Sequence, residues 1–184
     1  MEKMRKDELF TRWMNDAYRI ETSIISILER HIVDAEGHPT LQAKLRDHLH
    51  ATHHHADLVR GCLERLGKPA PADDATAYPP ADTPVAMTGS RSGVHDAPTG
   101  GKDDGSAVTN DDRGELLIKD GLNDYSTEQY EIATYKALIA AASDLGQMEC
   151  QQAFEEILDD EREMAGWLDV NLPLLVEQTI RHAA

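Results

Sequence analysis

Apolar residues recur at steps of three and four along most of this chain, and that spacing limits what it can fold into more than any other feature. An α-helix turns by about 100° per residue, so such steps draw a single apolar stripe down one side. The first stripe covers about residues 7–35 through Leu9, Trp13, Ala17, Ile20, Ile24, Ile27 and Leu28. Gly37 and Pro39 stop that helix and start the next. The second covers about 39–66 through Leu41, Leu45, Leu49, Thr52, Ala56, Val59, Leu63 and Leu66, and ends at Gly67-Lys68-Pro69. A third predicted helix, about 112–145, opens at Asp111-Asp112 with Glu115 placed for a capping box and has a weak point at Gly121. The fourth, about 147–172, carries Cys150, Phe154, Ile157, Ala165, Leu168 and Leu172. Pro173 either kinks this helix or opens a short terminal one ending at His182.

Between the second and third helices, from Pro69 to about Asn110, the chain turns rich in Pro, Gly, Asp, Ser and Thr and loses its period. Each flanking helix pair is joined by a short turn, which makes its members antiparallel neighbours. Either pair alone would leave an apolar face bare, so a crossover over about residues 68–111 is expected to join them across one core. Two antiparallel hairpins linked by one long crossover is the connectivity of a ferritin-like four-helix bundle. The expectation is a single all-α domain over the 184 residues.

The formal charge of −16 argues against nucleic acid, whose phosphates need an excess of Lys and Arg, and equally against an anionic membrane surface. No run of about 18 apolar residues is present to span a membrane, and no apolar segment after Met1–Asp7 reads as a secretion signal. Cys62 and Cys150 fit no CxxC pattern, so they read as buried thiols of a cytoplasmic protein rather than as a functional pair.

Ionisable residues on the apolar stripes carry the functional signal. Glu161 falls at the centre of the face made by Phe154, Ile157, Ala165 and Leu168. Glu128 and Glu131 share a face with Leu117, Tyr135, Leu138, Ile139 and Ala142. Two buried like charges three residues apart repel, and a cation between them removes both penalties. Glu21 flanks the first stripe, and His48 and His55 border the second. All four helices thus offer an inward ligand type, as a bundle-core di-iron site requires: carboxylates for hard cations and imidazoles for nitrogen ligation. Taken singly, Glu21 reads as a rim residue paired with an Arg, and each histidine as a hydrogen-bonded core residue. His50 and His54 face away from the stripe and read as solvated, while the Asp-rich stretches at 102–105 and 110–112 lack the spacing of an EF-hand loop.

The segment Glu128-Gln-Tyr-Glu-Ile-Ala-Thr-Tyr135, followed by Leu138, Ala142 and Leu145-Gly146, resembles the E-H-Y-E-I-A-x-Y signature of the YciE/YciF group of ferritin-like proteins. Leu9 to Glu21, with Asp16 and Tyr18 in register, is similar to that group's opening helix. His48-Leu49, Thr52 and Leu66-Gly67 resemble its second helix, and Leu158-Asp-Asp-Glu161 its fourth. The resemblance implies a ferritin-like bundle, often dimeric, linked to bacterial stress responses and holding a dinuclear metal centre. Three positions depart from it. Ala51 stands where the group usually has Glu, Ala165 where it has Asp, and Gln129 where it has His.

The resulting expectation is a metal protein with ligands Glu21, His48, His55, Glu128, Glu131 and Glu161. Iron as a pair is the expected occupant, with manganese or zinc as alternatives, and dioxygen or peroxide the small oxidant. No catalytic side chain is assigned. The competing reading is a metal-free helical structural or interaction protein, supported by Ala51 and Ala165. The outward residues Ile25 and Ile32, with the family resemblance, lead to the expectation of a homodimer through the first hairpin.

Overall fold

A computed structural model describes residues 2–71 and 110–182, with side chains for 5–71 and 113–181. Four helices make up the described residues: α1 (Glu2–Asp34), α2 (Pro39–Arg65), α3 (Asn110–Asp144) and α4 (Met148–His182). The chain is an all-α helical bundle. α1 packs on α2 and α3, and α4 packs on α3 and α2, so α1 faces α4, and α2 faces α3, diagonally across the core.

Ion pairs fix the directions. Lys6 on α1 meets Asp144 on α3, and Arg65 on α2 meets Glu149 on α4. At the other end, Arg113 near the start of α3 reaches the carbonyl of Glu36 in the α1–α2 turn. Every neighbouring pair is therefore antiparallel. The chain leaves α2 at one end and enters α3 at the other, about 40 Å away along a helix of 27 residues. The expected crossover itself falls mainly on residues outside the described ones, as does the side-chain cap at Asp111 and Asp112.

Local chemistry explains the helix ends. Gly37, Gly67 and Gly146 follow helix ends with φ of 92°, 69° and 69°, a left-handed region that a Cβ disfavours. Pro39 sits at the first position of α2, where its missing N–H is no loss. Pro173 lies inside α4, which continues through it, and Gly121 interrupts nothing in α3. The first stripe also runs differently from expectation near its start: Phe10 and Met14 are buried, whereas Trp13 is 44% exposed.

The core divides into two apolar clusters. One gathers Phe10, Met14, Val59, Leu63, Tyr135 and Phe154. The other gathers Ile20, Ile24, Leu28, Leu45, Leu117 and Leu168. Ionisable side chains lie along the helices between the two.

Candidate metal centre

Each helix brings acid or imidazole to the axis for the same reason: the residue stands on the stripe that packing turns inward. Glu21 lies between Ala17 and Ile24 on α1, and His48 follows Leu45 by three residues on α2, with His55 seven further on. Glu128 and Glu131 precede Tyr135 on α3, and Glu161 follows Ile157 on α4. All six are at most 5% exposed. Burying an ionised group without compensation is prohibitive, so this layer must be neutralised.

Two groups of three ligand atoms form. Glu21, His55 and Glu161 offer one set, and His48, Glu128 and Glu161 the other, the atoms of each lying within 4.8 Å of one another. Glu161 belongs to both. Its Oε1 lies 2.8 Å from His55 Nδ1, and its Oε2 lies 3.9 Å from His48 Nε2. His48 Nε2 is also 3.1 Å from Glu128 Oε1, and His55 Nδ1 is 3.7 Å from Glu21 Oε2. Glu131 is equally buried but stands outside both triads.

Proximity here does not produce hydrogen bonds of good geometry. His48 Nε2, His55 Nδ1, Glu21 Oε2, Glu128 Oε2, Glu131 Oε1 and Glu161 Oε2 are buried and lack a hydrogen-bond partner. Unsatisfied buried polar atoms are rare in folded proteins, and six of them converging on one layer fits a ligand set for cations. The donor chemistry fits too: four carboxylates would balance two divalent ions.

The electrostatics of the ion-free layer point the same way. Burial, reinforced by the charge of Glu161, pushes Glu128 and Glu131 well above the usual carboxylate range. Burial also raises Glu21, against the opposing pull of His55. Burial would raise Glu161 as well, but the proximity of His55 and Glu128 outweighs it and holds this carboxyl below its ordinary value. Burial disfavours a charged His55, yet Glu161 and Glu21 overcome that and carry it up to about 11. Burial lowers His48. Without a metal the layer pairs the His55 imidazolium with the Glu161 carboxylate, while burial favours the neutral forms of Glu21, Glu128, Glu131 and His48.

Outer contacts orient the ligand set. His55 turns its other nitrogen, Nε2, to Asp160 Oδ2 at 3.1 Å. Tyr135 donates its hydroxyl proton to Glu21 Oε1. A carboxylate behind a histidine and a donor behind a carboxylate are what metal ligands commonly have.

The model of a family described as a domain of unknown function, DUF892, matches residues 5–78 and 85–181. The chain belongs to the DUF892 family. Among solved structures, protein XCC3681 from Xanthomonas campestris pv. campestris superposes with a TM-score of 0.73 at 24% identity, covering 97% of this chain and 98% of its own. The stress protein YciF of E. coli gives 0.66 at 18% identity, covering 94% and 97%. YcfI from Rhodopseudomonas palustris gives 0.64 at 23%, covering 89% and 92%. The resemblance to the YciE/YciF group holds, and at these identities the likeness concerns the fold.

In this DUF892 chain the departures from the group's pattern differ in burial, Gln129 being exposed. Ala165 is 4% exposed, and Ala51 is half-buried. Neither supplies an oxygen. The structure also adds groups that the sequence reading passed over. His31 is buried between Asp120, 3.1 Å from Nε2, and Asp124, 2.8 Å from Nδ1. Extending the α1 stripe one turn past Leu28 reaches His31, and Asp124 lies one turn before Glu128, so the period contained both signals. Asp160 lies off the α4 stripe, and only the packing of α2 on α4 reveals its partner. A cavity of about 360 Å³ opens beside His31, between the α1–α2 turn and the C-terminal half of α4.

Proposed function

We propose that this protein binds two divalent metal ions in the bundle core, iron foremost, and uses them in oxidant chemistry. Glu21 and His55 would hold one ion and His48 and Glu128 the other. Glu161 would be shared, and Glu131 would be a further carboxylate within reach. The observation that carries this reading is Glu161: its two oxygens are divided between two triads of buried atoms that otherwise lack hydrogen bonds.

Bound iron would supply electrons to dioxygen or peroxide, giving oxidase, peroxide-consuming or ferroxidase-like activity. The chain's own residues do the positioning. Asp160 keeps His55 turned so that Nδ1 points inward, and Tyr135 holds one oxygen of Glu21 and leaves Oε2 free. The apolar clusters on either side exclude water, which strengthens every charge interaction in the layer. A cytoplasmic setting agrees with two free cysteines and with the lack, among the described residues, of a helix apolar enough to cross a membrane. The E. coli relative is called a stress protein, and removal of oxidants is one role consistent with that description.

The test is metal analysis of untagged protein purified without chelator, followed by ferrous titration under air. About two ions per chain are expected. Glu128→Ala and Glu131→Ala are each expected to abolish stoichiometric iron binding. Normal loading in both variants would remove the proposal.

A second reading keeps one observation of its own: the group's usual oxygen ligands are replaced by Ala51 and Ala165. In that reading the site has decayed, and the His55 imidazolium between Glu21 and Glu161 is an internal ion pair of a structural protein. YcfI, a candidate structural protein by its description, offers a precedent. Protein free of transition metal and inert to ferrous iron would favour it.

A further inference from the structure

Cys62 and Cys150 are far apart in sequence but meet in the fold. Cys62 lies in the last turns of α2 and Cys150 in the first turn of α4, and both are free and buried in the apolar cluster around Phe154. α2 and α4 run antiparallel in a register marked by His55 with Asp160 on one side and Arg65 with Glu149 on the other. That register places Cys62 opposite Cys150 in the same buried cluster, close enough for the two sulfurs to interact.

The two thiols are chemically unequal. Cys150 sits where the unpaired N–H groups and dipole of a helix N-terminus favour a negative charge, a setting that activates thiols. The Arg65 guanidinium, one turn beyond Cys62 on α2, adds a small further pull, being ion-paired with Glu149 beside Cys150. The neighbouring Cys62, opposed by burial and aided by Arg65, depresses the Cys150 thiol, while Cys150 and burial raise Cys62. One sulfur is thus prepared to attack and the other to follow.

We propose that Cys62 and Cys150 are a redox couple that closes to a disulfide between α2 and α4 on reaction with a small hydroperoxide. The Cys150 thiolate attacks one peroxide oxygen and the O–O bond breaks. Cys150 becomes a sulfenic acid, and the departing hydroxide takes the Cys62 proton to leave as water. The Cys62 thiolate then attacks the sulfenic sulfur, the S–O bond breaks, and the second hydroxide leaves as water with a solvent proton. Overall the dithiol gives up two electrons and two protons, and hydrogen peroxide becomes two molecules of water. Burial of both cysteines to 2% or less excludes bulky oxidants. The couple lies two helical turns past His55 and needs no metal for this step. Disulfides in reducing compartments are usually of this transient kind.

Hydrogen peroxide added to the full-length protein tests it, with intact mass and free thiols read after unfolding. Wild type is expected to lose both thiols, to become lighter by two hydrogens, and to yield a Cys62–Cys150 cross-linked peptide that dithiothreitol reopens. Cys62→Ser should stop one oxygen heavier, with Cys150 trapped by dimedone on unfolding. Cys150→Ser should lose its remaining thiol at least about tenfold more slowly. The wild-type cross-link decides the question even if a variant fails to fold. Retention of both thiols, a disulfide only between chains, or equal rates in the two variants would overturn it. None of these readouts depends on the metal proposal.

Discussion

His55 carries two roles on one ring, and separating them gives the sharpest residue-level test. Nδ1 faces Glu161 and Glu21, and Nε2 faces Asp160. Asp160→Asn should keep the fold but lower metal affinity by roughly 10–100-fold, read by competition with a chelator, because the ring loses its anionic anchor. His31 provides a pH test. Burial opposes its charge, but Asp120 and Asp124 prevail and push it up to about 9 from an ordinary 6.5. Arg30, 3.0 Å from Nε2 on the same helix, is the charged neighbour that opposes them. The folded protein therefore holds a proton that the unfolded chain releases earlier. The stability this contributes is complete below about pH 6.5 and is lost as pH rises through about 9; it is on the order of 3 kcal/mol. Urea unfolding at about pH 6 and about pH 10 should show that decline in wild type, and His31→Gln should make it shallower by the His31 share, leaving the share of His55, whose raised value falls away over the same window. The inward burial of Glu21, His48, His55, Glu128, Glu131 and Glu161 was legible because charged residues on an apolar stripe contradict the stripe. Asp160 was not, because its role depends on another helix.

Helices were legible from period and punctuation, and their ends and crowding much less so. The steps of three and four could not distinguish Trp13 from Met14 as the inward residue, since both lie near the edge of a broad stripe, and packing chose Met14. Pro173 was expected to kink α4 or to open a short terminal helix; α4 continues through it to His182, so no separate helix begins there. Two glycines of α3 explain how its packing on α4 is achieved. A Cβ on Gly114 would lie 2.5 Å from Thr179 Cγ2, and one on Gly121 would lie 3.0 Å from Leu172 Cδ1. By contrast, Gly61 in α2 and Gly166 in α4 have nothing within 4 Å of that position. Gly61→Ala and Gly166→Ala should therefore each stabilise the protein by about 0.5–1 kcal/mol through helix propensity alone. In Gly114→Ala the same gain meets an overpacking cost of about 1–3 kcal/mol, so it should be neutral or destabilising. Thermal unfolding of the three variants side by side checks the contrast.

For the whole molecule, charge and apolar surface act against each other. A formal charge of −16 repels a second copy, most strongly where salt does not screen it. Ile25 and Ile32, expected to be outward on α1, are in fact half-buried, and Ile32 packs against the core, so they offer less area than the stripe implied. The neighbouring Val33 is 67% exposed and supplies what this end of α1 presents. We propose a two-fold homodimer through the α1–α2 hairpin, held by this modest apolar strip and opposed by the acidic surface. The balance gives the dimer a direction with salt. The screening length falls from about 30 Å at 0.01 M to about 8 Å at 0.15 M, so added salt removes repulsion while leaving the apolar contact intact. Light scattering at micromolar protein should move from the 20.4 kDa chain mass towards twice that value as salt rises between those limits. Val33→Lys should hold the protein at the lower mass throughout. A variant that still dimerises would transfer the interface to α4, where Val170, Leu174 and Ile180 are also exposed. The chain mass at both salt concentrations in wild type would mean that the repulsion is never overcome and the bundle works as a monomer.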